Sequence, residues 1–171
     1  MRLLKLVPIV GFGAVSLLSG AAMAQTPAQT SLWAINCDTQ QCLDATTDGV
    51  NGKVQVSNCD VNKQAESWVQ NQPFPGRVEN GYFKKRCLDM NTNTSVVTNV
   101  CSGDAQAQQW TFGAWRVKSE IRNGYWGTGD GENAPRCIQV TDGKVNAAKC
   151  NGQNNQMWYW VPQGETATCP K

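Results

Sequence analysis

The chain has 171 residues, with 15 Lys and Arg against 13 Asp and Glu, eight cysteines and no histidine. A nearly balanced charge with scattered cations lacks the basic footprint that a phosphate backbone demands, which argues against a nucleic-acid partner. The lack of histidine removes the usual base of a Ser or Cys nucleophile and, with no Cys-x-x-Cys pair, the common zinc spacings.

Taken in chain order, the first segment reads as a leader. Arg2 and Lys5 precede an apolar run over residues 6–18, and the small-residue stretch Ala21-Ala22-Met23-Ala24 follows. That order is a secretory signal peptide cleaved after Ala24, and the run is too short to span a bilayer as a helix. No later segment is apolar enough to cross a membrane, so no membrane span is expected. Cleavage removes two cations and no acid, leaving a mature chain of 147 residues that is formally neutral. Residues 25–30 form a short linker and residues 31–171 one domain. All eight cysteines, at 37, 42, 59, 87, 101, 137, 150 and 169, fall in that domain. An even count behind an export signal indicates disulfides in an oxidising compartment, secreted or periplasmic.

The domain contains a three-fold repeat. Its copies run from Cys42-Leu43-Asp44 to Trp68, from Cys87-Leu88-Asp89 to Trp110, and from Cys137-Ile138-Gln139 to Trp158. A second cysteine (Cys59, Cys101, Cys150) follows the first by 17, 14 and 13 residues and precedes the tryptophan by 9, 9 and 8. Asn80-Gly81-Tyr82 leads into the second copy and Asn123-Gly124-Tyr125 into the third, and Asn-Gly is a tight-turn signal between strands. Short strands are predicted at 53–57, 95–99 and 144–148, between clusters of Gly, Asn, Asp and Ser. About four strands per copy, or about twelve in all, give the rhythm of a closed or sandwiched all-β fold without long helices. A unit of this length cannot bury its apolar face alone, so the three copies must share one core. Lys84-Lys85-Arg86 reads as a solvated run leading into a strand.

The closing triplets Gln108-Gln109-Trp110 and Gln156-Met157-Trp158, with Glu66-Ser67-Trp68 one residue removed from them, and the Cys-x-Asp openings resemble the ricin B-type lectins over about residues 31–163. The resemblance implies a β-trefoil of three pseudo-symmetric repeats, with Trp68, Trp110 and Trp158 packed about the axis. It also implies the bridges Cys42–Cys59, Cys87–Cys101 and Cys137–Cys150. Trefoil termini emerge side by side, which implies a fourth bridge, Cys37–Cys169. Spacing by itself does not choose among the possible pairings. Trp33, Trp115 and Trp160 are expected in the core or barrel floor.

A sugar site in that family takes an aspartate two residues after the first cysteine, an amide four before the second and an aromatic two before it. An Asn-Gln pair falls three and two residues before the tryptophan. Carboxylates accept from adjacent hydroxyls, amides donate and accept, and a flat ring covers the C–H face of a pyranose. The first copy keeps Asp44 and Gln55 but has Ser57 for the ring and Ala65-Glu66 for the amide pair. The second keeps Asp89 and Gln108, with Val97, Asn99 and Ala107 at the other three positions. The third keeps Asn155 and Gln156 and offers Asn146, but has Gln139 for the aspartate and Ala148 for the ring. Trp126 opens a Gly-rich insertion before Cys137 that reads as a binding loop or as a loop folded back on the barrel. A weak carbohydrate-binding module for galactose- or xylan-type glycans is expected, with Asp44 at the surface of the best site. The alternative is a protein- or receptor-binding trefoil subunit of a secreted bacterial toxin or enzyme complex. No catalysis, metal or cofactor is expected.

Overall fold

The computed structural model describes residues 30–71, 74–92, 94–125 and 134–170. The expected leader, residues 25–29 of the linker and Trp126 lie outside the described residues. Turn residues cut the chain into short strands, as their frequency requires. The first copy supplies β1 (Leu32–Asn36), β2 (Cys42–Ala45), β3 (Gly52–Ser57) and β4 (Trp68–Gln70). The second supplies β5 (Val78–Asn80), β6 (Arg86–Met90), β7 (Val96–Val100) and β8 (Trp110–Thr111). The third supplies β9 (Ser119–Glu120), β10 (Arg122–Asn123), β11 (Arg136–Thr141), β12 (Lys144–Lys149) and β13 (Met157–Pro162). The strands predicted inside each copy are β3, β7 and β12, each within a residue of its expected bounds. β9 and β10 are one strand position interrupted at Ile121, where the chain passes from pairing with β13 to pairing with β8 and β11.

The first and fourth strands of the copies build a barrel. β1 pairs with β13 from Leu32↔Pro162 to Asn36↔Trp158 and with β4 at Leu32↔Trp68; β4 pairs with β5, and β8 with β10. The second and third strands form the hairpins β2–β3, β6–β7 and β11–β12, which close one end. These hairpins touch one another: β3 pairs with β7 through Lys53↔Val97, and the Ala147 N–H donates to the Thr94 carbonyl. A barrel capped by three hairpins with this repeat is a β-trefoil, and the fold is all-β.

Three-fold symmetry is written most plainly in the core. Trp68, Trp110 and Trp158 are buried, and each indole Nε1–H donates at 2.9 Å to the carbonyl of the residue after the first cysteine of its own copy: Leu43, Leu88 and Ile138. A buried indole usually finds such an acceptor, and here the bond locks the closing strand to the opening strand of each copy, whereas the buried Trp33 and Trp160 indoles have none among the described residues. Leu43, Leu88 and Ile138 are themselves fully buried in the same cluster. Four disulfides join Cys42 to Cys59, Cys87 to Cys101, Cys137 to Cys150 and Cys37 to Cys169. The first three fasten neighbouring strands within a copy; the last clasps the chain ends beside the β1–β13 ladder. In the loop-closure account each short bridge contributes roughly 3 kcal/mol, and the clasp more because its loop is longer.

Two expectations need correction. Trp33 and Trp160 are buried as expected, but Trp115 is 49% exposed, because it sits in the turn between β8 and β9 and not on a strand. The Asn-Gly pairs do mark turns, yet no two-residue hairpin forms there. The asparagine makes the turn with its side chain. Asn80 Oδ1 accepts from the Tyr82 and Phe83 N–H groups, while its Nδ2 donates back to the Ala65 carbonyl of the preceding copy. Asn123 does the same with Tyr125 and Ala107, and Asn36 with Asp38, Thr39 and Asn155. The first copy therefore has this clamp too, hidden in the sequence because Cys37 follows Asn36 where the other copies have glycine.

The indole bonds make a stability prediction. Trp110→Ala should lose about 3–5 kcal/mol of unfolding free energy. Trp110→Phe, which keeps a ring but leaves the Leu88 carbonyl without its indole donor, should still lose about 1 kcal/mol. Guanidinium denaturation checks both, and a Phe variant as stable as wild type would show that the indole bond is idle.

Candidate functional site

The residue two before each closing tryptophan is Glu66, Gln108 or Gln156, at the end of a one-turn 3₁₀ helix (Gln64–Glu66, Gln106–Gln108, Asn154–Gln156) and buried in each case. Its oxygen accepts the N–H of the residue just after the second cysteine: Asp60, Ser102 and Asn151 at 2.8, 2.9 and 2.8 Å. In the second and third copies the amide Nε2 then donates to the carbonyl before that cysteine, Val100 or Lys149, and to the polar residue two after the first cysteine, Asp89 or Gln139. Each carboxamide thus makes three hydrogen bonds, one accepted and two donated, and uses both of its N–H groups.

Glu66 cannot donate in this way, and the first copy is rebuilt around that loss. Asp44 Oδ2 takes Lys63 Nζ at 2.6 Å and Gln55 Nε2 at 3.1 Å. The Ser57 hydroxyl accepts from Lys63 Nζ at 2.9 Å and donates to Glu66 Oε1 at 2.6 Å. Lys63 Nζ lies 3.6 Å from Glu66 Oε1, so one ammonium holds two buried carboxylates together. Burial pushes the Glu66 carboxyl above the ordinary carboxylate value, against the Ser57 and Asp60 hydrogen bonds and the Lys63 charge. Burial pulls on Lys63 in the other direction, but its hydrogen bond to and charge attraction with Asp44, and then Glu66, hold it above the ordinary lysine value.

Asp44 is 0% exposed, which corrects the expectation of a surface carboxylate: the β2–β3 ladder sets Asp44 opposite Gln55, and Lys63 closes over it. Asp44→Ala would strip an ion-paired lysine of its partner in a buried cluster, so it does not leave the fold untouched. Asp89 is likewise engaged, by the Met90 N–H, Asn99 Nδ2 and Gln108 Nε2. Asn155 Nδ2 donates to the Val140 carbonyl and Gln156 is internal. The structure brings Asp44 and Gln55 together in the first copy, and Gln156 to Gln139 in the third, where Asn155 instead faces the Val140 carbonyl; the three copies keep their sets apart.

Beside Lys63 lies an open pocket of about 370 Å³ lined by Asn62, Lys63, Gln64, Ala65 and Tyr82. Tyr82 is 56% exposed and rests edge-on against Phe83, ring centroids 4.9 Å apart. Position-by-position matching misses this ring, because Tyr82 belongs to the lead-in of the second copy. The bond from Asn80 to the Ala65 carbonyl is what lays that lead-in over the closing turn of the first. The recurring Asn-Gly-Tyr motif was the available signal, although it does not say which copy the ring serves.

No protein-family model matches the chain. Its fold is similar to the β-trefoil lectin of the Vibrio vulnificus hemolysin/cytolysin, solved with N-acetyl-D-lactosamine bound, with TM-score 0.65 and 18% identity over 82% of this chain and 99% of that one. The C-half of an earthworm R-type lectin in complex with GalNAc superposes with TM-score 0.60 at 11% identity, covering 78% of this chain and 98% of that one. An endo-β-galactosidase from Clostridium perfringens matches with TM-score 0.61 at 13% identity over 78% of this chain but only 32% of its own length. The shared feature is the trefoil itself.

Glu66→Gln should restore the donor that the other copies use and remove a buried carboxylate. At neutral pH the variant is expected to be more stable by about 1 kcal/mol. Because the folded Glu66 carboxyl titrates above its unfolded value, the wild type relieves its own penalty as pH falls through that raised pKa toward the ordinary range. The gap between the two proteins should therefore shrink on acidification. Thermal melts across mildly acidic to neutral pH read this directly.

Proposed function

We propose that the chain is exported, cleaved after Ala24, and acts as a carbohydrate-binding module whose contact surface is the Tyr82 pocket of the first copy. The observation that carries this reading is an exposed tyrosine ring sharing an open pocket with Asn62, Gln64 and the flank of Lys63. A ring supplies the platform for the C–H face of a pyranose, and the amides of Asn62 and Gln64 supply hydrogen bonds to its hydroxyls. Asp44 and Gln55 act from behind: they hold Lys63 in place and do not themselves face the sugar. The trefoil fold supports the reading, since two of the similar structures carry bound sugars in the trefoil itself. Few contacts in an open pocket, each worth about 0.5–1.5 kcal/mol net of water, imply millimolar affinity for a galactose- or xylan-type glycan. Eight cysteines joined as four bridges suit an oxidising location, periplasmic or extracellular.

A second reading, a trefoil subunit that docks on a protein or receptor within a toxin or enzyme complex, is favoured by the exposed Trp115 and Val117 in the β8–β9 turn. Exposed tryptophan is the residue type most enriched at binding hot spots.

Titration calorimetry of the mature protein against galactose- and xylan-type oligosaccharides separates the two. Tyr82→Ala should weaken sugar binding at least tenfold while Tyr82→Trp retains it, and neither should alter the melting temperature much. Sugar binding unchanged in Tyr82→Ala removes this site; no sugar binding at all, with Trp115-dependent retention on a partner protein, favours the docking subunit.

A further inference from the structure

The hairpin cap holds a second pocket, of about 340 Å³, which touches the family's sugar positions only through Gln55 and Val97 and centres on residues outside them. Its lining comes from all three copies at matching places. Lys53, Ser95 and Lys144 each stand six residues before the second cysteine of their copy, and Val54, Val96 and Val145 five before. A pocket lined by equivalent residues of three copies lies on the pseudo-three-fold axis. The valines make its apolar wall, with Val54 and Val96 buried in the core cluster, and Lys53 and Lys144 stand exposed at its mouth.

We propose that this axial pocket binds a single anionic group, a sulfate, phosphate or carboxylate, carried on an acidic glycan; the glycan part rests on the carbohydrate-binding reading above. Backbone pairing fixes where the two lysines start. Lys53 is set opposite Val97 in the β3–β7 ladder, and Lys144 is held at the first rung of the β11–β12 hairpin, opposite Thr141. Among the described residues neither lysine has an ion-pair partner, and no carboxylate lines the pocket. Asp48, an acid of the neighbouring loop, is already paired with Arg86. Asp142, in the hairpin turn before Lys144, is not among the lining residues. Two like charges facing one partly enclosed space repel, and an anion between them converts that repulsion into two charge-assisted hydrogen bonds. Asn51 and the Ser95 position add neutral groups for oxygens that the lysines do not reach, while Gln55 stays turned to Asp44.

The symmetry supplies its own test, because Ser95 occupies the third equivalent of the two lysines. Methyl NMR titrations of the mature protein would use inorganic sulfate, a sulfated lactosamine, sialyllactose and neutral lactosamine, on wild type, Lys53→Ala, Lys144→Ala, the double variant and Ser95→Lys. Inorganic sulfate and the sulfated sugar should shift the Val54, Val96 and Val145 methyl signals. Each lysine removal should weaken that binding about tenfold, Ser95→Lys should tighten it, and added salt should weaken it throughout. Tighter binding of a sulfated or sialylated sugar than of inorganic sulfate assigns the anion to a glycan; equal binding assigns it to a free ion and overturns the glycan part. Anion affinity unchanged in the double variant, or no shift of the axial valines, overturns the site. Neutral lactosamine acting through Tyr82 while the axial valines stay silent sinks this proposal alone, whereas anion binding at the axis with no neutral or acidic sugar bound anywhere sinks the carbohydrate reading.

Discussion

Three hydrogen bonds, from the indoles of Trp68, Trp110 and Trp158 to the carbonyls of Leu43, Leu88 and Ile138, set the geometry on which everything else in this molecule rests. Each indole fills a large apolar volume at the axis and ties the fourth strand of its copy to the second. The disulfide of the same copy starts one residue before that carbonyl, so covalent and hydrogen-bonded restraints act on the same stretch of strand. With the opening and closing strands fixed, the hairpins meet at the cap, where the axial pocket lies, and the closing turn of the first copy meets the second copy's lead-in, where the Tyr82 pocket lies.

Around these anchors the buried polar groups are nearly all internal. The amides of Gln108 and Gln156 satisfy the backbone at the second cysteine, and Asn36, Asn80 and Asn123 stitch each lead-in to the closing turn before it. Side chains that resemble sugar ligands in a linear reading are therefore largely committed to the fold, although Asp44 Oδ1 and Asn155 Oδ1 are buried without a hydrogen-bond partner among the described residues. The one copy that breaks the amide rule is also the one where a lysine is drawn inward. Glu66 in place of glutamine leaves two carboxylates close together, and Lys63 bridges them while its flank joins the Tyr82 pocket. A single departure from the repeat thus distinguishes the first copy chemically from the other two.

Much of the fold was legible in the chain alone, for a physical reason: a repeat that cannot bury its own apolar face must share a core, and its markers recur wherever that core demands them. The cysteine and tryptophan offsets located the strands of each copy, and the resemblance they carry implied the four bridges that the structure contains. Trp115 escaped because an aromatic near a strand end carries no sign of the direction it faces. The first-copy clamp at Asn36 escaped because its glycine is replaced by a bridged cysteine.

The functional surfaces were decided elsewhere. The family resemblance set Asp44 and Gln55 in one site, and the structure does make them neighbours, because both lie on one hairpin and β pairing is a local matter. The burial of Asp44, and the lysine laid over it, depend on a turn 19 residues away. Tyr82 reaches the first copy only because Asn80 fastens the second copy's lead-in to Ala65, and Lys53 and Lys144 share a pocket only because three hairpins meet on an axis. What this sequence determines by itself is whatever repeats, since periodic burial leaves a periodic mark. What only the tertiary structure decides is which non-repeating side chains become neighbours, because their proximity is set by the closure of the barrel and not by their distance along the chain.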